Sequence, residues 1–244
     1  MSRFFITASN IFGGMAYLSK EDADHIKVLR IRKGEIFTVC DGNGTDYTCR
    51  LSDNDGEDLC VEIVDKTPSP GEPNVKCSVF AAFSKGDKLE SVIQKSVELG
   101  ASEIVAFPSK RCVSKPEGVS LLRKTERWQK IAKEAAKQSE RGIVPLVSVM
   151  PTYENAVKKA AEAELPIFCY EEEKSHSLKA ALEQAGEIKT VSIFTGPEGG
   201  FEPSEAALAV QYGMKSVTLG PRILRCETAP VSVLSAVMLF TDNM

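Results

Sequence analysis

The sequence lacks several features that mark common protein classes. It has only two histidines, His25 and His176, which lie far apart, and its seven cysteines are scattered without a C-x-x-C pair. This distribution argues against a zinc site and a disulfide framework, and it favours reduced thiols in the cytosol. No apolar run is long enough to span a bilayer, and the first residues lack a secretory layout. We therefore expect a cytoplasmic protein with no membrane partner and no bound metal.

Prolines divide the chain into two parts. Three of them lie in Thr67–Pro73, which disfavours a helix or a central strand there and predicts a linker. The sequence before this linker has short β-like runs that predict a small barrel or sandwich, with one short helix capped by Ser19. We predict domains at residues 1–72 and 73–244. The first would have strands at 35–40, 45–51 and 59–64, turns at 41–44 and 53–56, and a helix at 19–28.

Strand-like and helix-like segments alternate after the linker. This alternation is typical of a mostly parallel sheet covered by helices on both faces. The clearest helix starts at Asp87, a plausible N-cap, and ends at Gly100. We predict strands at 77–83, 103–107, 146–149, 167–170, 191–194 and 216–219, and helices at 87–99, 121–140, from 153, at 177–185, from 203 and from 230.

Two glycine- and proline-bearing loops follow the last two predicted strands. Thr195–Phe201 has the sequence TGPEGGF, and Leu219–Ala229 has the sequence LGPRILRCETA. An open α/β sheet binds small molecules at the carboxyl ends of its strands, where such loops lie. Neither loop is a P-loop or has G-x-G-x-x-G spacing. A single loop of this kind would be an ordinary turn, but two at successive strand ends predict a ligand pocket.

Charge is distributed unevenly along the chain. The net charge is −4 overall, and acidic residues outnumber basic residues in 1–72. Basic side chains predominate in 84–141, and many follow helical spacing. Such a face would bind RNA phosphates or simply be solvated, and the two interpretations are equally supported because glutamates interrupt it. The basic side chains of this predicted helix are Arg123, Lys124, Arg127, Lys130, Lys133 and Lys137.

Taken together, the two loops resemble those of the SPOUT superfamily of knotted RNA methyltransferases. Within it, the chain is similar over nearly its whole length to the ribosomal RNA small subunit methyltransferase E family. That similarity also includes His25–Arg30 with Gly34, which resembles the family's PUA-like domain, and the segments Lys95–Gly100 and Gln138–Arg141. The chain departs from the family at Cys226, where threonine is more common.

The resemblance implies both a fold and an activity. The fold would be a PUA-like β-barrel in 1–72, followed in 73–244 by a mostly parallel α/β sheet with a deep trefoil knot, an exception to the usual unknotted topology. The activity would be transfer of the methyl group of S-adenosylmethionine to N3 of a uridine in small-subunit (16S) ribosomal RNA. The enzyme would act in ribosome biogenesis, as a homodimer, on bare RNA or an assembled 30S subunit. Cofactor-binding residues would be Thr195, Gly196, Pro197, Gly199, Gly200, Leu219, Gly220, Ile223, Leu224, Thr228 and Ala229.

This chemistry needs a group that stabilises the negative charge developing on the uridine carbonyl oxygens. Arg225 is the first candidate and Arg141 the second. Glu198 or Glu227 would orient an arginine or accept the proton, although Glu227 is equally well explained as a carboxylate at a helix N-terminus. The RNA would be contacted by His25, Lys27, Arg30, Arg32, Lys110 and Arg111.

Two other functions stay open at this stage. A non-catalytic RNA-binding or ribosome-assembly factor on the same scaffold would account for the basic helix and the PUA-like start. A metabolic α/β enzyme acting on a small nucleotide would account for the two loops alone. Strong binding of S-adenosylmethionine would count against the first, and turnover without RNA would favour the second.

Overall fold

The chain forms two compact units, and the computed structural model describes residues 3–51 and 59–244. Unit 1 comprises Met1–Glu72 with Ala136–Val144, and unit 2 comprises Pro73–Ala135 with Pro145–Met244. The first break between the units follows Glu72, within the proline-bearing segment Thr67–Pro73. The sequence-based boundary had left 136–144 in the second domain, because contacts with residues far away in the chain leave no local pattern. The turn predicted at 53–56 lies outside the described residues.

Unit 1 is built on a curled sheet of six strands. Strand β1 pairs with β4 in parallel, and the other neighbouring pairs are antiparallel. The sequence predicted a small barrel or sandwich; the described residues of unit 1 form a single curled sheet with β1 and β2 at its two ends. The strands are β1 (Arg3–Phe5), β2 (Ile11–Phe12), β3 (Met15–Leu18), β4 (Ile36–Cys40), β5 (Thr45–Leu51) and β6 (Leu59–Pro68), in the order β1-β4-β5-β6-β3-β2.

Helix α1 (Lys20–Val28) covers the apolar face of this sheet. Its N-terminus is the predicted one, because the Ser19 hydroxyl accepts the backbone N–H of Asp22. Ile26 of the helix joins Phe37 and Val39 in the core; these two strand residues alternate in sequence and so share one face of β4.

Unit 2 alternates strands with helices, so the predicted alternation is confirmed. Its sheet is wholly parallel and has the order β12-β10-β11-β7-β8-β9. The strands are β7 (Lys76–Ala82), β8 (Glu103–Phe107), β9 (Leu146–Val149), β10 (Leu165–Cys169), β11 (Thr190–Thr195) and β12 (Lys215–Val217). The helices are α2 (Lys88–Glu98), α3 (Gly118–Gln138, of which residues 136–138 belong to unit 1), α4 (Tyr153–Ala160), α5 (Leu178–Ala185), α6 (Pro203–Gln211) and α7 (Thr228–Phe240).

Strand β11 lies inside the sheet, between β10 and β7. Its residues from Val191 to Thr195 are all buried, so the strand is covered on both faces, as is usual when helices cover a parallel sheet. Phe194 of this strand packs against Phe107, Phe168 and Phe201, with ring centroids 4.3 to 5.9 Å apart. This aromatic cluster supports the loop that follows β11.

The ends of some elements differ from the prediction. Helix α7 begins at Thr228, with Glu227 at the N-cap, two residues before the predicted start at Pro230. Proline fits the third helical position because the first backbone N–H groups of a helix have no intrahelical partner. Strand β12 ends at Val217, two residues before the predicted end. Among the helices of the described residues, none combines the length and the apolar character needed to cross a membrane.

Candidate functional site

A cavity of about 660 Å³ opens at the carboxyl ends of three neighbouring strands of unit 2. The loops after β10, β11 and β12 form its walls, as expected at this edge of a parallel sheet. Lys88, at the start of α2, and Arg111, in the loop after β8, complete the lining. The structure brings the two glycine loops together here: every residue predicted to bind the cofactor lines the cavity except Thr228.

The loop after β11 has a backbone shape that requires glycine. Gly200 has φ +66°, and the Glu171 carboxylate occupies the space that a β-carbon on residue 200 would fill. Glu171 also accepts the backbone N–H of Phe201 at 2.9 Å. A β-carbon on Gly196 would lie 3.1 Å from the Phe201 ring. The two glycines therefore let the loop pack closely against its neighbours and leave its backbone at the cavity wall.

The loop after β12 runs from Thr218 into α7. Gly220 has φ +101° with open space around its α-carbon, so glycine is needed for conformation and not for close contact. The carbonyl of Arg225 accepts the N–H groups of Thr228 at 2.9 Å and Ala229 at 3.0 Å, which ties this residue to the first turn of the helix. Ile223 is 84% exposed and stands at the mouth of the cavity.

Glu198 and Lys88 form an ion pair at the cavity wall. The Glu198 carboxylate accepts the backbone N–H of Lys85 at 2.9 Å and the Lys88 ammonium at 3.0 Å. Burial would by itself raise the pKa of Glu198, but these hydrogen bonds outweigh it, and the pKa lies below its ordinary value. The hydrogen bond with Glu198 also raises the pKa of Lys88. Both groups are therefore charged at neutral pH.

The thiol of Cys226 is kept protonated. Burial, followed by the hydrogen bond to Glu227 and the nearby carboxylates, raises its pKa to about 12. The Cys226 thiol donates to the Glu227 carboxylate at 3.2 Å. Since the thiolate is the nucleophilic form, the raised pKa disfavours nucleophilic reactivity of Cys226 at neutral pH.

Arg225 and Arg222 both reach the cavity from the loop after β12. Both residues are exposed, and within residues 3–51 and 59–244 no side-chain hydrogen bond of Arg225 is found. The pKa of Glu227 is lowered, mainly because its carboxylate accepts a hydrogen bond from its own backbone N–H. The positive charge of Arg225 lowers this pKa further. Of the predicted catalytic residues, Arg225 and Glu198 thus lie at one cavity.

Arg141, the second arginine predicted to be catalytic, is not among the cavity residues. It is 3% exposed and belongs to unit 1, where its guanidinium donates to Glu72 at 2.7 Å. The same carboxylate accepts the N–H groups of Gly142 and Ile143, and the Arg141 carbonyl accepts a hydrogen bond from Arg3 at 3.0 Å. These contacts hold segment 136–144 within unit 1. The burial and pairing of Arg141 support a structural role, and its catalytic role stays a prediction.

The residues predicted to contact RNA fall into two groups. His25, Lys27, Arg30 and Arg32 are exposed together on unit 1, at the end of α1 and just beyond it. Lys110 and Arg111 belong to unit 2. Arg111 forms hydrogen bonds with Gly199 and Glu202 in the segment between β11 and α6, and Lys110 forms hydrogen bonds with residues of α6. Lys110 donates its backbone N–H to the buried Glu205 and its ammonium to Ser204, at 2.9 and 2.8 Å.

Sequence reasoning missed the third wall of the cavity. Tyr170, Glu171 and Glu172 line it from the loop after β10, and Lys88 lines it from α2. The glutamates follow a predicted strand, as the two glycine loops do, but their loop has no glycine or proline pattern. Only the sheet order, which places β10 between β11 and β12, brings them to the site. The described residues hold no cluster of three or more potential metal ligands.

Comparison with known proteins identifies the family. A family model described as an RNA methyltransferase domain matches residues 71–238, and a second, described as an RNA methyltransferase PUA domain, matches residues 18–64. Ribosomal RNA small subunit methyltransferase E of Bacillus subtilis (strain 168) is 32% identical, over 99% of this chain and 98% of the relative. This chain belongs to the methyltransferase E family. The resemblance predicted from the sequence is thereby confirmed.

Solved structures agree with this assignment to the methyltransferase E family. A ribosomal RNA small subunit methyltransferase E from Neisseria gonorrhoeae, bound to S-adenosyl methionine, has a TM-score of 0.83 and 30% identity, with 98% of this chain and 97% of that chain covered. A methyltransferase from Legionella pneumophila in complex with the cofactor SAM has a TM-score of 0.84 and 27% identity, with 97% and 96% covered.

Proposed function

We propose that the protein methylates small-subunit ribosomal RNA, using S-adenosylmethionine, and that the acceptor is N3 of a uridine. The observation that carries this proposal is the cavity formed by the glycine loops after β11 and β12, in a member of the methyltransferase E family. Two similar proteins were solved with this cofactor bound. The uridine N3 target comes from the family resemblance, and the cavity chemistry below is compatible with it.

The cavity residues fit S-adenosylmethionine. A volume of about 660 Å³ falls in the range of roughly 300–1,000 Å³ that small-molecule sites have. Gly196, Gly199 and Gly200 line the cavity without side chains, so the ribose and methionine parts of the ligand can approach the backbone closely there. Leu219, Ile223 and Leu224 offer apolar contact, and the carboxylates of Glu171 and Glu198 offset the positive charge of the ligand.

The chain's own residues would then act on the uridine. When bound, S-adenosylmethionine supplies a methyl group on a positively charged sulfur. Arg225 has a guanidinium without internal hydrogen bonds in the described residues, so its donors are available to the negative charge on the uracil oxygens. Glu198 has a lowered pKa and is a weak base; we assign it the role of holding Lys88 in place. Alignment of the two substrates would supply much of the acceleration.

RNA binding would use the exposed basic residues of unit 1. His25, Lys27, Arg30 and Arg32 stand on one exposed segment, and phosphate contacts by its three cations would make affinity depend on salt. We further propose, on the family resemblance, that the C-terminal chain is threaded into a trefoil knot. The same resemblance supports a homodimer that acts in the cytoplasm on bare RNA or the 30S subunit. Sedimentation velocity would test the dimer.

The deciding experiment measures methyl transfer. Purified protein would be given labelled S-adenosylmethionine with 16S ribosomal RNA and, separately, with 30S subunits, and the RNA would be digested and its nucleosides identified by mass spectrometry. We expect 3-methyluridine as the labelled nucleoside. A different methylated nucleoside would overturn the N3 assignment while preserving the methyltransferase.

Calorimetric titration with S-adenosylmethionine separates the enzyme from the alternative of a non-catalytic RNA-binding factor. We expect wild-type protein to bind and Gly220→Val to lose binding, because valine is strained at φ +101°. Circular dichroism would confirm that the variant is folded. RNA binding by a wild-type protein that neither binds S-adenosylmethionine nor transfers methyl groups would favour the assembly factor.

A further inference from the structure

Arg111 connects two parts of unit 2 that meet at the cavity. It lies in the loop after β8, and its guanidinium reaches the loop after β11. Its Nη1 donates to the carbonyl of Gly199 at 3.1 Å, and its Nε donates to the carboxylate of Glu202 at 2.7 Å. The two acceptors stand on either side of Gly200. One planar group therefore holds both ends of this turn, which a guanidinium can do because its donors point in fixed directions.

The stem of Arg111 packs against the same turn. A β-carbon on Gly199 would lie 3.2 Å from the Arg111 β-carbon, so the loop backbone rests directly on this side chain. Glu171 accepts the N–H of Phe201. The segment 199–202 is thus held by an arginine from the loop after β8 and a glutamate from the loop after β10.

These contacts compete with the RNA-binding role that the sequence assigned to Arg111. Two of its donors are satisfied inside the protein, and its charge is paired with Glu202. A phosphate would have to approach a guanidinium whose positive charge is already offset. The negative charges of Glu171 and Glu172 also act on Arg111 and would repel a phosphate at this position.

We propose that Arg111 is a positioning residue for the loop after β11 and makes no phosphate contact with RNA. It holds Gly199 and Glu202 so that the loop after β11 keeps the shape that binds S-adenosylmethionine. Glu202 is the partner through which it acts. This inference rests on the proposed function, because it assigns the loop to the cofactor.

The test compares Arg111→Lys, Arg111→Met, Glu202→Gln and the double variant Arg111→Lys/Glu202→Gln. Lysine keeps the positive charge but cannot donate in two fixed directions, so we expect the Kd for S-adenosylmethionine to rise roughly tenfold, the effect of losing one charge-assisted hydrogen bond. Glu202→Gln should have a similar effect. The double variant should be no worse than the weaker-binding single variant, because the two residues act as one unit.

RNA binding and turnover provide the second readout. The slope of log Kd against log salt for 16S ribosomal RNA should be unchanged in Arg111→Met. The KM for S-adenosylmethionine should rise in Arg111→Lys, while kcat at saturating cofactor stays near the wild-type value. Lys179→Met is the matched control: it removes a cation from an exposed ion pair with Glu183 on α5 and should change none of these quantities.

Three results would overturn the proposal. The first is a Kd for S-adenosylmethionine in Arg111→Lys within twofold of wild type while the wild type binds normally. The second is a salt slope in Arg111→Met that falls by about 0.7 to 0.9, the loss of one phosphate contact. The third is wild-type protein that does not bind S-adenosylmethionine, which would overturn the proposed function as well.

Discussion

The Glu171 carboxylate accepts the backbone N–H of Phe201 at 2.9 Å, in the space that a β-carbon on residue 200 would need. The two residues belong to loops that follow the neighbouring strands β10 and β11, so this hydrogen bond joins two walls of the cavity. Gly200 is required for two independent reasons: its φ of +66° and its contact with Glu171.

Gly200→Ala should therefore weaken the binding of S-adenosylmethionine. The added methyl group collides with Glu171 and pushes the two loops apart, and overpacking of this kind costs about 1–3 kcal/mol. We expect a Kd raised roughly tenfold, measured by calorimetric titration. Gly186→Ala is the matched control, because Gly186 has φ +68° but open space around its α-carbon. Gly186 does not line the cavity, so an equal loss of affinity in both variants would indicate general destabilisation by a strained backbone and not the contact with Glu171.

Arg225→Ala should slow methyl transfer much more than it weakens cofactor binding. Removing one donor to charge that develops during a reaction costs on the order of 10²–10³ in rate. Single-turnover transfer to ribosomal RNA, at saturating S-adenosylmethionine, would measure this effect. Arg222→Ala removes a second exposed arginine of the same loop and the same cavity, and should have little effect on the rate. Equal losses would indicate general attraction of RNA by the loop.

Arg141→Met should destabilise unit 1 without changing the affinity for S-adenosylmethionine. It leaves the Glu72 carboxylate without its cation, and breaking a buried ion pair costs about 3–5 kcal/mol. The free energy of unfolding in urea would be compared with that of Arg50→Met. The Arg50–Glu62 pair, in the same unit, spans 3.6 Å and is about half exposed, so its loss should cost at most about 1 kcal/mol. A fall in cofactor affinity with unchanged stability would contradict the structural role and favour the catalytic prediction for Arg141.

Glu173 should contribute stability that depends on pH. Hydrogen bonds from the backbone N–H groups of Ser175, at 2.7 Å, and His176, at 3.2 Å, lower its pKa to about 2. Because the folded state favours the ionised carboxylate, this contribution is complete above the unfolded pKa of about 4.3 and is lost as pH falls toward about 2. Glu173→Gln should lower the free energy of unfolding at neutral pH, and the difference from wild type should shrink on acidification.

Denaturant unfolding at several values between about pH 7 and about pH 2 would measure that difference. Glu183→Gln is the matched control. Its carboxylate lies 3.6 Å from Lys179 in an exposed pair, so its removal should have little effect at any of these values. A difference for Glu173→Gln that stays constant across the range would contradict the hydrogen-bond explanation of the lowered pKa.

The glycine loops show how much local sequence can predict. Thr195–Phe201 and Leu219–Ala229 carry their turn residues in order, so their position after strands and before helices follows from conformational preference alone. The alternation of strands and helices, the Ser19 cap and the division near residue 72 follow from the same kind of local pattern. The family resemblance rests on these residues too. The sequence by itself therefore determined the fold class, the family and two of the three walls of the cavity.

Tertiary structure decided which charged groups meet. Glu171 reaches the cavity only because β10 pairs between β11 and β12, and Arg111 reaches Gly199 only because two loops far apart in sequence end at one sheet edge. Arg141 is buried against Glu72 for a similar reason, since segment 136–144 packs with unit 1. A side chain's partner depends on which strands become neighbours. Strand pairing links residues far apart in sequence, so no local pattern records it.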